Sequence, residues 1–198
     1  MLTYSHTNEA ESLFRSSGAV LDGHFLLTSG LHSPVYWEKF RILEHPEYTS
    51  RLCAMIATHF KDCGAQVVIG PTTGGIILAF EVAKQMGLRC IFAEKNESGQ
   101  RTFRRGFSIN PEEKVLVVDD ILTTGKSVKE VLCATAEHNG TVVGIGVLVD
   151  RSEHGLDFGF PLFSCLRSIT AAYQQQDCPL CRQGIPLAKP GSSKQAIA

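Results

Sequence analysis

Val115-Leu116-Val117-Val118-Asp119-Asp120-Ile121-Leu122-Thr123-Thr124-Gly125-Lys126-Ser127 is the stretch that decides the fold of this chain. Four apolar residues run without a polar break, as in a strand buried on both faces. Two acids follow side by side. A small hydroxyl-rich loop with one glycine then leads into a helical pattern. Open α/β sheets bind ligands at the carboxyl ends of their strands. Thr123, Thr124, Gly125, Lys126 and Ser127 offer backbone N–H groups and hydroxyls to a phosphate resting on the N-terminus of the next helix. Paired carboxylates beside such a cradle point to a ligand with both sugar hydroxyls and phosphate, accompanied by a divalent cation. A strand ending in one helix-capping acid would explain Val115–Val118 and a single aspartate, but neither the second acid nor Thr-Thr-Gly. Gly125-Lys126-Ser127 also imitates the end of a triphosphate-binding loop. That loop needs glycine five positions before its Gly-Lys pair, and Asp120 stands there.

Working outward, the pattern alternates between strand and helix. Helical spacing covers Asn8–Ser17, Pro46–Asp62, Ile76–Met86 and Val128–His138. Pro46 suits a first helical turn, and Gly87 suits a helix end. Apolar runs at Gln66–Ile69, Arg89–Ala93, Lys114–Val118 and Thr141–Val149 read as strands. Phe25–Leu27 and Val35–Lys39 read as short extended segments around a turn at Ser29–Pro34. Such alternation implies a mostly parallel sheet flanked by helices, with right-handed crossovers. A second glycine-bearing turn, Gly70-Pro71-Thr72-Thr73-Gly74-Gly75, lies between a strand end and a helix start. Its glycines let the backbone approach a ligand closely. Two anion cradles on one sheet edge suit a sugar carrying phosphate at one end and pyrophosphate at the other.

The chain has 198 residues, enough for one domain with a substantial core. Its hydrophobic content of 43% and charged content of 20% are globular values. A formal net charge of −1 argues against a large nucleic-acid footprint. No apolar stretch reaches membrane-span length, and Met1–Ala10 lacks the apolar centre of a signal peptide. A cytoplasmic location with reduced thiols is expected.

The chain carries 7 cysteines. Cys53, Cys63, Cys90, Cys133 and Cys165 lie in apolar settings and are expected to pack as small hydrophobes. Cys178-Pro179-Leu180-Cys181 is a CxxC with no second CxxC or nearby His pair in the sequence. Metal binding there would need a further ligand, such as Cys165 or a second subunit. His24 and His32 are expected to be structural or solvent-facing, and Trp37 to lie in the core or at an interface. Between Ala93 and Val115 runs a long polar connection holding Lys95, Arg101, Arg104 and Arg105. A loop of this length is usually functional or disordered. Its concentration of arginines favours an anion-binding lid over a merely solvated hairpin.

Val115–Ser127 resembles the phosphoribosyl-pyrophosphate signature of the type I phosphoribosyltransferases. Gly23–Tyr36 resembles the N-terminal substrate segment of the orotate phosphoribosyltransferases, and Gly70–Ile76 resembles their pyrophosphate loop. Asp150-Arg151-Ser152-Glu153-His154-Gly155 resembles their Asp-Arg stretch, and the tail Cys178–Gly191 is similar to a shorter branch of that family. The resemblance implies an α/β type I phosphoribosyltransferase-like fold filling residues 1–198. Its core would lie at about 46–150, with a small hood from about 18–42 and 151–190. It implies transfer of the 5-phosphoribosyl group from phosphoribosyl pyrophosphate to orotate in pyrimidine (UMP) biosynthesis.

The implied roles follow the same matches. Asp119 and Asp120 would grip the ribose and stabilise charge. Lys95 and the arginines Arg101, Arg104 and Arg105 are the candidates to serve the leaving group, with the choice among the arginines open. Thr72, Thr73, Gly74 and Gly75 would contact pyrophosphate. Thr28 and Ser29 would lie near the base, and Arg151 would pair with the orotate carboxylate. Mg²⁺ would be held mainly by pyrophosphate and ribose, with Asp119 and Asp120 as further candidates. A homodimer would share loop 94–107 between sites, with no nucleic-acid or membrane partner. Several departures stand out: many members carry lysine where Thr28 and Gly74 stand here, and their mobile loop begins Arg-Lys with a later lysine and histidine, where this chain has Glu94-Lys95, Ser98 and Gln100. Transfer to another base, or a non-catalytic sensor of phosphoribosyl pyrophosphate, remain as alternatives.

Overall fold

The computed structural model describes residues 3–27, 29–153 and 155–190. Helix α1 (Thr3–Ser16) precedes an antiparallel hairpin of β1 (Val20–Leu26) and β2 (His32–Trp37). A short helix α2 (Phe40–Leu43) leads to α3 (Pro46–His59), which has Pro46 in its first turn. There follow β3 (Val67–Pro71), α4 (Gly74–Met86), β4 (Arg89–Lys95), β5 (Arg101–Thr102), β6 (Lys114–Leu122), α5 (Lys126–Glu137) and β7 (Thr141–Asp150). The last elements are β8 (Leu162–Arg167) and the short helix α6 (Pro179–Arg182).

The main sheet has six strands in the order β5-β4-β3-β6-β7-β8, parallel throughout except for β4 with β5. The expected mostly parallel sheet flanked by helices is therefore the fold. Alternation along the central strands sorts the core into two layers. Val68, Leu116, Val118 and Leu148 pack with α1, α3 and α4. Val67, Ile69, Val115, Val117, Ile145 and Val147 pack with α5 and with Phe103 and Ile109. Gly87 ends α4 in the left-handed conformation at φ 66°.

Several expectations are corrected. The extended segments near residues 25 and 35 are longer and pair with each other. Strand β6 runs on through both aspartates to Leu122 rather than stopping at Val118, because β7 pairs with it as far as Asp150. The connection 94–114 is not wholly irregular. Glu94 and Lys95 pair with Thr102 and Arg101 in a β-hairpin, and Phe103 and Ile109 are buried beyond it. Residues 151–190 do not form a hood as one piece. β8 completes the edge of the main sheet, while the tail laces to the β1–β2 hairpin through Tyr173 and Ala188. Of the five cysteines expected to pack as small hydrophobes, Cys53 and Cys165 are buried, but Cys133 lies exposed on the outer side of α5.

Candidate active site

The chain passes from β3 to β4 on one side, then returns to place β6 on the other side of β3. The carboxyl ends of β3 and β6 are thus neighbours at the topological switch point, where doubly wound sheets open a crevice. The loop Pro71–Gly74 leaves one strand there, and Leu122–Lys126 leaves the other. Both cradles read from the sequence meet at this edge.

Asp119 and Asp120 are both buried. One Asp119 oxygen accepts the Asp120 N–H at 2.8 Å, and the other accepts the Ser127 hydroxyl. Burial, and secondly the charge of Asp120, push the Asp119 carboxyl up to about 6. Asp120 is held differently. Lys39 Nζ lies 3.1 Å from Oδ1 and 3.0 Å from Oδ2, and Oδ1 also accepts the Ile121 N–H at 2.7 Å. Lys39 precedes α2, and nothing in its local sequence marks it as a site residue. Only the fold brings it across 81 positions to the aspartate.

Gly74 opens α4 directly beneath Asp120. A Cβ built on Gly74 would stand 2.1 Å from Asp120 Oδ2. In this chain the carboxylate fills the space that a side chain at position 74 would need. Gly75 is buried with it, while Thr72 is half-buried and Thr73 exposed at the turn.

In the second cradle, Gly125 takes φ 72°, and a Cβ there would meet Phe158 at 2.8 Å. Helix α5 begins at once, and its first internal bond runs from the Lys129 N–H to the Gly125 carbonyl. The N–H groups of Lys126, Ser127 and Val128 therefore precede the helical ladder and face the loop. Thr123, Thr124 and Lys126 are exposed around a cleft of about 260 Å³ that Lys95, Arg101 and Glu130 complete.

Among the loop cations, Arg101 is the one that reaches the first cradle. Its guanidinium donates to Thr72 Oγ1 at 3.1 Å, the Ala93 carbonyl at 3.1 Å, the Thr72 carbonyl at 3.3 Å and Glu130 at 3.0 Å. The hairpin register that sets Arg101 opposite Lys95 produces this contact, and spacing alone did not single it out. Lys95 is exposed at the cleft. Arg104 and Arg105 instead turn to Glu94, with Arg105 at 3.0 Å and Arg104 at 4.0 Å, and both remain largely exposed.

Arg151 follows β7 at the same edge and donates its backbone N–H to the Leu122 carbonyl at 2.7 Å. Its guanidinium carbon lies 5.9 Å from the centre of the Trp37 ring. Burial lowers its pKa, and its Nε has no hydrogen-bond partner among the described residues. Beside it, Asp150 accepts the N–H and hydroxyl of Ser152 at 2.9 and 2.6 Å. Trp37 itself is buried against Phe14, as expected for a core residue. Ser29 is exposed at the tip of the β1–β2 turn; Thr28 and His154 lie outside the described residues.

The comparisons with known proteins agree with this geometry. The phosphoribosyl transferase domain model matches residues 41–180. The orotate phosphoribosyltransferase of Pelotomaculum thermopropionicum is 50% identical over 187 residues, which is 94% of this chain and 98% of the relative. The chain belongs to the orotate phosphoribosyltransferase family. A second member, from Chlorobaculum parvum, is 46% identical over 96% of this chain and 97% of its own. The crystal structure of the orotate phosphoribosyltransferase from Aeropyrum pernix superposes with a TM-score of 0.68 at 27% identity, covering 80% of this chain and 92% of that one.

Proposed function

We propose that this chain transfers the 5-phosphoribosyl group from phosphoribosyl pyrophosphate to orotate, giving orotidine 5′-monophosphate and pyrophosphate in pyrimidine (UMP) biosynthesis. The observation that carries the choice of base is Arg151. A partly buried guanidinium with a buried, unpartnered Nε, at the edge where both cradles meet, suits a planar carboxylate. Thr123 to Ser127 receive the 5′-phosphate on the opening of α5, and Thr72 to Gly75 receive the pyrophosphate. Asp119 and Asp120 hold the ribose hydroxyls. As the bond from the anomeric carbon to pyrophosphate breaks and that to the orotate nitrogen forms, with the nitrogen's proton passing to the departing pyrophosphate or to solvent, their charge stabilises the cationic sugar. Arg101 braces the pyrophosphate turn, and Lys95 with Arg104 and Arg105 supplies positive charge from the same hairpin. Thr28 and Ser29 border the base.

The donor set fits Mg²⁺ arriving on the substrate. The site is rich in hard oxygen donors, yet both aspartates already accept hydrogen bonds from Ser127, Lys39 and backbone. Mg²⁺ is commonly carried by phosphate oxygens and water with few protein ligands. When bound it would neutralise pyrophosphate charge.

All 198 residues are read as one phosphoribosyltransferase unit that works as a homodimer, with loop 94–107 reaching the neighbouring site. Ile77 and Phe80 support this, because they share one face of α4 and are 45% and 62% exposed. Seven unpaired cysteines suit the reducing cytoplasm.

The test is pyrophosphate release from phosphoribosyl pyrophosphate and Mg²⁺ with orotate, uracil, hypoxanthine and adenine in parallel. Turnover is expected with orotate alone. Turnover with a purine or uracil but not orotate would overturn the base assignment.

A further inference from the structure

We infer that His24, His32, Cys178 and Cys181 form a structural Zn²⁺ site that clamps the β1–β2 hairpin to the C-terminal segment. The two histidines lie on adjacent strands of the hairpin, and the two cysteines begin α6 more than 140 residues later. One ligand atom from each side chain falls within 4.8 Å of all the others. His24, His32 and Cys178 are buried, and Cys181 is partly so.

Four of the six donor–donor edges lie within about 0.4 Å of those of a tetrahedral zinc site. His24 Nε2 lies 2.9 Å from His32 Nδ1, 3.5 Å from Cys178 Sγ and 3.7 Å from Cys181 Sγ. Cys181 Sγ lies 3.2 Å from His32 Nδ1. A tetrahedral zinc ion with Zn–S near 2.3 Å and Zn–N near 2.05 Å has N···S edges of about 3.5 Å and N···N edges of about 3.3 Å. Two imidazoles and two thiolates are also a ligand set that zinc favours over Mg²⁺.

The surrounding hydrogen bonds orient the donors. His24 Nδ1 lies 2.7 Å from the Ile185 carbonyl, which fixes its proton there and turns the Nε2 lone pair toward the cluster. This is the arrangement usual for a ligating histidine. Thiols make weak hydrogen bonds, so packing two of them against two buried imidazoles gains little without an ion. Binding would displace the two thiol protons and leave a site of net zero charge.

The sequence could not show this grouping. The CxxC wanted two more ligands, and the expected source was Cys165 or another subunit. Cys165 instead donates to the Leu52 carbonyl in the core. The histidines, separated by seven residues, come together through the antiparallel register of the hairpin. The inference is independent of the roles assigned at the phosphate and base sites.

The test is elemental analysis of the untagged, full-length protein purified under reducing conditions without added metal. One Zn²⁺ per chain is expected. It should fall to background in Cys178→Ser and Cys181→Ser. Chelation of the wild type should lower the melting temperature, and Zn²⁺ but not Mg²⁺ should restore it. Co²⁺ exchanged into the wild type should show tetrahedral d–d absorption with a thiolate charge-transfer band. Folded wild-type protein that is metal-free, and whose melting is unmoved by Zn²⁺ after reduction and chelation, would overturn the inference. So would a Cys178–Cys181 disulfide in place of the ion. Because the wild type decides the question, misfolded serine variants would not leave it open.

Discussion

Asp119→Asn should make the protein more stable and nearly inactive. Burial and the neighbouring Asp120 raise the Asp119 carboxyl from 3.8 to about 6. Such a group holds its proton more tightly folded than unfolded, so ionisation weakens the fold. Its contribution is favourable below the unfolded value and is lost as pH rises through about 4 to 6. A shift of roughly two pKa units corresponds to about 3 kcal/mol. Asparagine removes that penalty and the repulsion of Asp120. Its carbonyl can still accept the Asp120 N–H, and its amide can donate to Ser127, whose hydroxyl now turns to accept. Allowing about 1 kcal/mol for poorer hydrogen bonds, the variant should gain about 2 kcal/mol at pH 8. For a chain of this size that is roughly 4–8 °C in melting temperature. The advantage should shrink at pH 5, where the wild-type carboxyl is largely protonated and the penalty is about half. Meanwhile kcat should fall about 10²–10³-fold, as for the loss of one electrostatic stabiliser of a transition state. Melting curves at both pH values, with turnover at saturating substrates, check both halves. A variant less stable than wild type at pH 8, or one with near-normal kcat, would refute the reasoning.

Arg151→Ala should raise the KM for orotate about 10–100-fold, the value of a charged hydrogen-bonded contact, and leave the KM for phosphoribosyl pyrophosphate nearly unchanged. Steady-state titration of each substrate separates the two, and lysine should not restore the loss. Gly74→Ala would force its Cβ against Asp120 Oδ2, at 2.1 Å in the unrelaxed geometry. It should cost about 1–3 kcal/mol in denaturant melts and also depress kcat as Asp120 shifts from Lys39. Arg104→Ala with Arg105→Ala should lower turnover more than substrate binding and leave stability within about 0.5 kcal/mol, since both are exposed. Arg101→Ala should lower stability as well as activity, because it releases Thr72 and Glu130; parallel thermal melts distinguish the two sets.

The fold was legible because its reading rested on a buried strand and its loop, where one sequence feature has one structural meaning. Unbroken apolar residues at 115–118 required cover on both faces, and glycines at 74 and 125 required close backbone approach. Local signals of this kind reported α3, α4 and α5 nearly to their ends. What escaped depends on register and long-range pairing. Lys39 is unremarkable until α2 swings it beneath Asp120. Arg101 was one arginine among several until a two-residue strand set it against Thr72. β8, with its mixed Leu-Phe-Ser-Cys-Leu-Arg pattern, takes its place only because an edge position beside β7 is open. The polar stretch at 94–114 looked loose because its burial comes from isolated residues, Phe103 and Ile109, rather than from a periodic face.

The lacing of the tail to the first hairpin also fixes an order of assembly. His24 meets Ile185 across 161 positions of sequence, whereas β3, β4, β6 and their helices close over short crossovers. Long-range contacts are the costly ones to form early. As the chain leaves the ribosome, most of the sheet and the loops after β3 and β6 can be in place while the hairpin still waits for the tail that bridges to it. On the proposed reading of the site, the loops after β3 and β6 that receive the phosphorylated sugar can therefore be in place before the β1–β2 hairpin is tied down by the tail.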